Sequence, residues 1–368
     1  MPPQPRPWSD RARVLLVGLG DLGQRLTALC CTLPEIGQLI IAGRRAHVGA
    51  PFAALMASCG TSLVRFVEVN AARVDDLVTL LKRERPALVI NCASLLSPWL
   101  LHERDDPRAV ALRAAGFAVQ VPAHLPLLRN LMRAVRETGL DDTPVVNVSY
   151  PDATHAVLAG SSLMPTIGLG NAAMIRSQVM ATLRRTSTDT GAEEALVRVL
   201  AHHAHVTPVV RATPPDGIPA PRIYLGETGV RMDAIAFSGP PLPSTRELNA
   251  LTAASAAAIL RALLDSTSCV RTSAPGVHGL PGGWPVRIAE GRVMLDLPSG
   301  LTRDDGLVFH RTSGRGDGIE AIDEHGTIHF TEAACAALAP HDPGLTEPIE
   351  LRDIDRRWTR LRQLIDRP

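Results

Sequence analysis

Two stretches of this chain combine residue types and spacings that can do chemistry. The first is Gly18-Leu19-Gly20-Asp21-Leu22-Gly23, a G-x-G-x-x-G run. In such a run the first glycine permits a tight turn and the second lets the backbone approach a pyrophosphate. The third lets a helix pack closely on a strand. The amides at the start of that helix, at Asp21, Leu22 and Gly23, are free to bind phosphate oxygens and share the positive end of the helix dipole. The second stretch is Ala201-His202-His203-Ala204-His205. Imidazoles change charge near neutral pH, so His203 can relay a proton, with His202 and His205 as alternatives. In a strand, His203 and His205 would share one face and His202 would take the other. Tyr150, leaving a strand end toward a cleft, is a further proton-relay candidate. Asp152 can orient a histidine, and Arg176 or Arg211 can hold an acidic substrate.

The elements that must position these groups follow from the apolar pattern. Val14 to Val17 reads as a buried strand, the glycine run follows at once, and Leu26, Leu29 and Cys30 give the next helix its apolar face. Gln38 to Ala42 is a second strand, ending at Gly43-Arg44-Arg45. An NAD site commonly places Asp or Glu here for the ribose 2′-hydroxyl, whereas a planar guanidinium suits a 2′-phosphate. Arg44 and Arg45 therefore favour NADP(H) over NAD(H). A third strand, Leu63 to Val69, ends at Asn70, and a fourth, Ala87 to Ile90, ends at Asn91-Cys92-Ala93-Ser94. Ligands of such sheets lie beyond the C-terminal strand ends. Asn70 accordingly joins the cofactor set, and Asn91, Ala93 and Ser94 belong near the nicotinamide half.

The expected architecture is α/β, with a flexible N-terminus over residues 1–11, a Rossmann dinucleotide-binding domain over 12–150 and an α+β substrate and catalytic domain over 151–368. Pro144 to Ser149 closes the first domain. Leu125 to Thr138 is a helix whose Arg129, Arg133 and Arg136 are expected in solvent. In the second domain, Val206 to Ala212 reads as a strand, Ser244 to Leu264 as a helix capped by Ser244 or Thr245, and Gly314 to Gly318 as a loop rather than a second phosphate site. The apolar helix Leu248 to Leu264 either forms a homodimer surface or packs inside.

Composition narrows the function classes. Apolar residues make up 45% of the 368, enough for a sizeable core. The net charge of +1 comes without a basic tract, which argues against nucleic acid as a partner. No apolar run reaches the roughly 18 residues a membrane helix needs. Six cysteines occur without a C-x-x-C pair and read as reduced, mostly buried thiols. A cytoplasmic protein with a small-molecule substrate is expected. Zinc on His203, His205 and His155 is the metal alternative, but no H-E-x-x-H or cysteine cluster accompanies it, and no metal is expected.

The order of elements resembles the lactate and malate dehydrogenase superfamily. The resemblance rests on the glycine run, on Val145 to Arg176 with its Gly168-Leu169-Gly170 turn opening a helix, and on Leu280 to Leu297 with Gly318 to Leu338. It places His203 where the family has its catalytic histidine. It also places Met174 at the family's aspartate partner, Ser177 at its substrate-binding arginine and Tyr150 at its asparagine before proline. Those departures argue against simple 2-hydroxy-acid oxidation. The first domain is also similar to saccharopine-dehydrogenase-type NADP domains, through Ala42-Gly43-Arg44 and Asn91-Cys92-Ala93. Together these features imply an NADP(H)-dependent oxidoreductase of a small polar metabolite, with a histidine or tyrosine relay. A non-catalytic NAD(P)-binding sensor, or a lyase, epimerase or cyclase with tightly bound cofactor, is the alternative.

Overall fold

The segment Ala12–Val17 forms β1, and its alternation sends Val14 and Leu16 to one side and Leu15 and Val17 to the other, all buried. A strand apolar on both faces must lie inside a sheet covered on both sides. The computed structural model describes residues 11–60, 62–186 and 196–367. The expected flexible N-terminus lies outside these apart from Arg11. After β1 come α1 (Asp21–Cys30), β2 (Ile36–Gly43), α2 (Ala46–Cys59), β3 (Leu63–Glu68), α3 (Val74–Glu84) and β4 (Leu88–Asn91). They are followed by α4 (Pro107–Ala114), α5 (Val121–Glu137), β5 (Val145–Asn147), α6 (Pro151–Ala159) and β6 (Ile167–Gly168). The strands form one six-stranded parallel sheet in the order β3-β2-β1-β4-β5-β6. The winding reverses between β1 and β4, which opens a crevice at the C-terminal strand ends.

The sheet does not stop at residue 150. Val146 and Asn147 pair with Ile167 and Gly168, so β6 extends the sheet after α6. Pro151 sits at the first helical position, where its fixed φ starts a helix, and the chain returns to the sheet.

The remaining elements are α7 (Ala172–Thr186), β7 (Val197–Leu200), α8 (Val206–Val210), β8 (Arg222–Leu225), β9 (Val230–Arg231) and α9 (Leu248–Leu264). Then follow β10 (Cys269–Pro275), β11 (Gly283–Ala289), β12 (Arg292–Leu295), α10 (Arg303–Gly314), β13 (Ile319–Ile322), β14 (Ile328–Phe330), α11 (Glu332–Leu338) and α12 (Ile354–Asp366). They build antiparallel sheets β7-β8-β9 and β10-β11-β12 and the hairpin β13-β14. The β11–β12 turn puts both Glu290 and Gly291 at positive φ, as a two-residue hairpin turn requires.

Several expectations change. Val206 to Val210 is helical, continuing a 3-10 turn over His203–His205, so the histidines do not alternate along a strand. The helix α9 begins at Leu248 with Glu247 at its cap position; the Thr245 hydroxyl bonds the Glu247 carboxylate instead of the helix end. Arg129 is buried rather than solvated, because α12 packs on α5 and Asp355 pairs with the guanidinium at 2.9 Å. The six cysteines are all free; Cys59 and Cys269 are exposed, against the expected burial. No helix among the described residues is long and apolar enough to cross a membrane.

The apolar face of α9 is spent internally. Ala256, Ile259, Leu260 and Leu263 share a core with Leu26 of α1 and with Val14 and Leu16 of β1. Leu260→Ala is expected to cost about 2–5 kcal/mol of unfolding free energy, read from the urea midpoint, since it opens a cavity at a fully buried site.

Candidate active site

The glycine run bends between β1 and α1. A Cβ on Gly18 would stand 2.6 Å from the Ala93 amide nitrogen, and one on Gly23 would stand 2.2 Å from the Gly18 carbonyl oxygen. Gly18 lets the loops after β1 and β4 touch, and Gly23 lets α1 close onto the turn that precedes it. Gly20 differs, because a Cβ there would meet nothing within 4 Å. Gly20 is the N-cap of α1 and no side chain caps the helix, so the first-turn amides have no partner within it. The Asp21 carboxylate is turned aside, accepting from Arg25 Nε at 2.9 Å and Asn249 Nδ2 at 2.8 Å.

A cavity of about 470 Å³ runs along the strand ends past this turn. Gly18, Gly20, Asp21, Leu22, Gly23, Arg44, Arg45, Asn70, Ala93 and Ser94 all line it. Arg44 and Arg45 are exposed at the end of β2, and among the described residues neither guanidinium has an ion-pair or hydrogen-bond partner. Asn91 is the exception to the expected set. Its side chain is fully buried behind the wall, where Nδ2 donates to Asn147 Oδ1 at 2.9 Å. Asn147 in turn donates to His155 Nε2 at 3.2 Å, and His155 Nδ1 donates to the Gly276 carbonyl at 2.7 Å. Burial pushes His155 down to about 4, so this uncharged chain ties β4, β5 and α6 together. His155 thus has both nitrogens engaged, and among the described residues no three potential ligands converge on a metal.

At the far end, Ser149 and Ala93 line the cavity, and Ser149 Oγ donates to the Ala93 carbonyl at 2.9 Å. His124 of α5 lines it as well. Phe117 stacks on His124 with ring centroids 5.6 Å apart and lies 4.3 Å from His203 and 4.7 Å from Tyr150. Behind these rings is Asp317, buried in a turn after α10. His203 Nδ1 lies 2.9 Å from Asp317 Oδ2, and the Tyr150 hydroxyl donates to the same oxygen at 2.8 Å. His202 Nδ1 is 3.3 Å from that carboxylate. With Nδ1 committed to Asp317, His203 leaves Nε2 without a partner among the described residues, on a side chain 26% exposed.

The electrostatics favour a charged pair. Burial raises the cost of ionising Asp317, but the charge and hydrogen bonds of His203 and His202 outweigh it and hold its carboxyl well below the usual range. Burial alone would lower His203; the Asp317 carboxylate overrides it and holds the imidazole above its ordinary value. Tyr150 is pushed well above its ordinary value by burial and by the charges of Asp317 and Asp152, so its hydroxyl stays protonated and donates.

Other expected residues stand elsewhere. Asp152 is fully buried with Oδ2 bonded to Asn171, and it orients no histidine; burial raises its pKa. His205 accepts from the His202 amide at Nδ1 and donates to the Pro219 carbonyl at Nε2, which makes it a saturated structural residue, pushed down to about 4 by burial. Arg176 Nε donates to the Val197 carbonyl at 3.0 Å and fastens α7 to β7. Met174 is buried against Thr252 of α9. Asp317 and His124 are the residues sequence reading misses; Phe117, at the start of a segment that reads as either a strand or a pocket lining, lies in a 3-10 turn. Asp317 is an acid inside a glycine-rich stretch, and His124 stands between two prolines where the helix was expected to start one residue later.

The loop at 97–103 closes the cavity rim. Trp99 Nε1 donates to Asn249 Oδ1 at 3.4 Å, and Arg246 pairs with Glu103. His102 on this loop is held below its ordinary value by burial and by the positive charges of Arg113, His203 and Arg211.

This is the fold of the lactate and malate dehydrogenases. A lactate dehydrogenase from a Medee basin deep-sea metagenome superposes with a TM-score of 0.50 at 10% identity, over 83% of this chain and 97% of that one. The malate dehydrogenase of Plasmodium falciparum gives a TM-score of 0.50 at 12% identity, over 83% of this chain and 96% of that one. The resemblance read from the sequence therefore holds at the level of fold. No protein-family model matches the sequence, and the search of curated proteins finds no match.

Proposed function

We propose that the chain is an NADP(H)-dependent oxidoreductase of a small polar metabolite, in which His203, held by Asp317, moves the proton. The observation that carries this reading is the His203–Asp317 pair at 2.9 Å, with Nε2 of His203 unpartnered among the described residues and Phe117 packed between His203 and His124 of the cavity wall. The residues along the cavity suit a dinucleotide. Free α1 amides and the open space at Gly20 suit a pyrophosphate, unpartnered Arg44 and Arg45 suit a 2′-phosphate, and the small residues Ala93 and Ser149 leave room for a pyridine ring. When bound, the nicotinamide supplies or accepts a hydride at the substrate carbon.

The chain's own residues do the rest. Asp317 stays charged, fixes the tautomer of His203 through Nδ1–H, and favours the imidazolium. In reduction, His203 Nε2 gives its proton to the developing alkoxide or amine; in oxidation it takes that proton. Tyr150 donates to the same Asp317 oxygen and keeps the pair aligned. The loop carrying Trp99 and His102 excludes water from the cavity mouth. With Met174 and Ser177 at the places of the family's aspartate and arginine, and Arg176 committed to Val197, the substrate is not anchored as a 2-hydroxy acid would be.

The test is a fluorescence titration with NADPH and NADH. The wild type is expected to bind NADPH about ten to a hundred times more tightly, the worth of charge-assisted bonds to the 2′-phosphate. Arg44→Ala with Arg45→Ala should erase that difference and leave NADH binding intact. Equal affinities in the wild type would refute the NADP preference. Binding without turnover of any carbonyl or imine pool would favour the sensor reading.

A further inference from the structure

His124 occupies the first turn of α5, beside the ends of β4 and β5. The Leu95 amide donates to the Ala123 carbonyl at 2.8 Å, so this turn is fastened to the loop that follows β4. The side chain is 3% exposed, yet neither ring nitrogen has a hydrogen-bond partner. Buried polar atoms in folded proteins are nearly always paired, and an idle pair on a cavity wall points to a missing ligand. His310 also has idle ring nitrogens, but it is packed against Trp284 and Phe309, with centroids 4.9 and 5.3 Å away, and lines no described cavity. His124 instead lines the cavity, at the end occupied by Ala93 and Ser149. Phe117 stacks on its ring, with centroids 5.6 Å apart.

We propose that a ring nitrogen of His124 hydrogen-bonds the carboxamide of the pyridine ring of a bound nicotinamide dinucleotide, and so sets which face of that ring meets the substrate. This assignment rests on the dinucleotide reading given under Proposed function. Burial, and the positive charge of His203, push His124 down to about 3, so the imidazole is uncharged at neutral pH and offers one donor and one acceptor. A carboxamide carries both a donor and an acceptor, and satisfies whichever nitrogen faces it. An uncharged group also avoids repelling the oxidised, positively charged pyridinium.

The experiment compares NADPH with 2′-phospho-ADP-ribose, the same dinucleotide without its nicotinamide, by calorimetry on the full chain. His124→Phe should weaken NADPH about tenfold, or about 1.4 kcal/mol, and leave 2′-phospho-ADP-ribose unchanged. His124→Gln, which keeps an amide, should restore most of the loss. Equal weakening of both ligands, or no weakening of either, overturns the assignment while leaving the dinucleotide reading intact. A KM effect on the substrate with NADPH affinity unchanged overturns it too. A wild type that binds neither ligand sinks the dinucleotide reading, and this assignment with it.

Discussion

Asp317→Asn is expected to lower the rate of carbonyl or imine reduction by about a hundredfold or more at pH 7.5, and to move the alkaline limb of the rate profile to lower pH. An amide can still accept Nδ1–H from His203, so the geometry survives and the charge is lost. In the wild type the imidazole is held above its ordinary value, and reduction stays fast until the pH passes that raised pKa. Without the carboxylate, the burial that lowers His203 prevails, and the proton is gone at a lower pH. Stability should follow with a defined sign. The lowered Asp317 contributes above its unfolded pKa of about 3.9 and loses that contribution as the pH falls toward its folded value. The raised His203 contributes fully below about 6.5 and loses that as the pH rises through its folded value. The pair is therefore worth most between about pH 4 and 6.5, and the variant's loss of Tm should be greatest in that window. A pH–rate profile that does not move would remove Asp317 from the relay.

Gly20→Asp should abolish dinucleotide binding while leaving the protein folded. The open space at Gly20 accommodates a Cβ, but the added carboxylate would stand where a pyrophosphate meets the α1 amides. Like charges that close cost several kcal/mol, so a loss of about a hundredfold or more in affinity is expected, with a Tm near that of the wild type. Calorimetry with NADPH and a thermal melt read the two quantities. Unchanged affinity would show that no phosphate rests there.

The sequence made the sheet legible because its strands are apolar runs bounded by glycine, arginine and asparagine. Gly18, Gly20, Gly23, Arg44 and Arg45 were legible for the same reason: local spacing suffices to place them. Asp317 was not, since its pairing with His203 joins turns 114 residues apart and leaves no local trace. The place of His205 is not legible from alternation, because its segment turns into a 3-10 helix where its nitrogens meet backbone groups. Asn91 is a different case. It stands at the strand end, but its amide points back into the sheet to hold Asn147. Sequence distance hides such pairings, and side-chain direction at a strand end depends on neighbours from other elements.

The N-terminal half of this chain is not a removable cassette. Since α9 lies over α1, α12 lies over α5 and β6 completes the sheet, a fragment ending at residue 150 would bare the apolar sides of Leu26, Leu125 and Val146 to water. Grafts, fusions and reporter insertions will accordingly be tolerated at the outer loops, and not at the junction where a modular two-piece plan would place them.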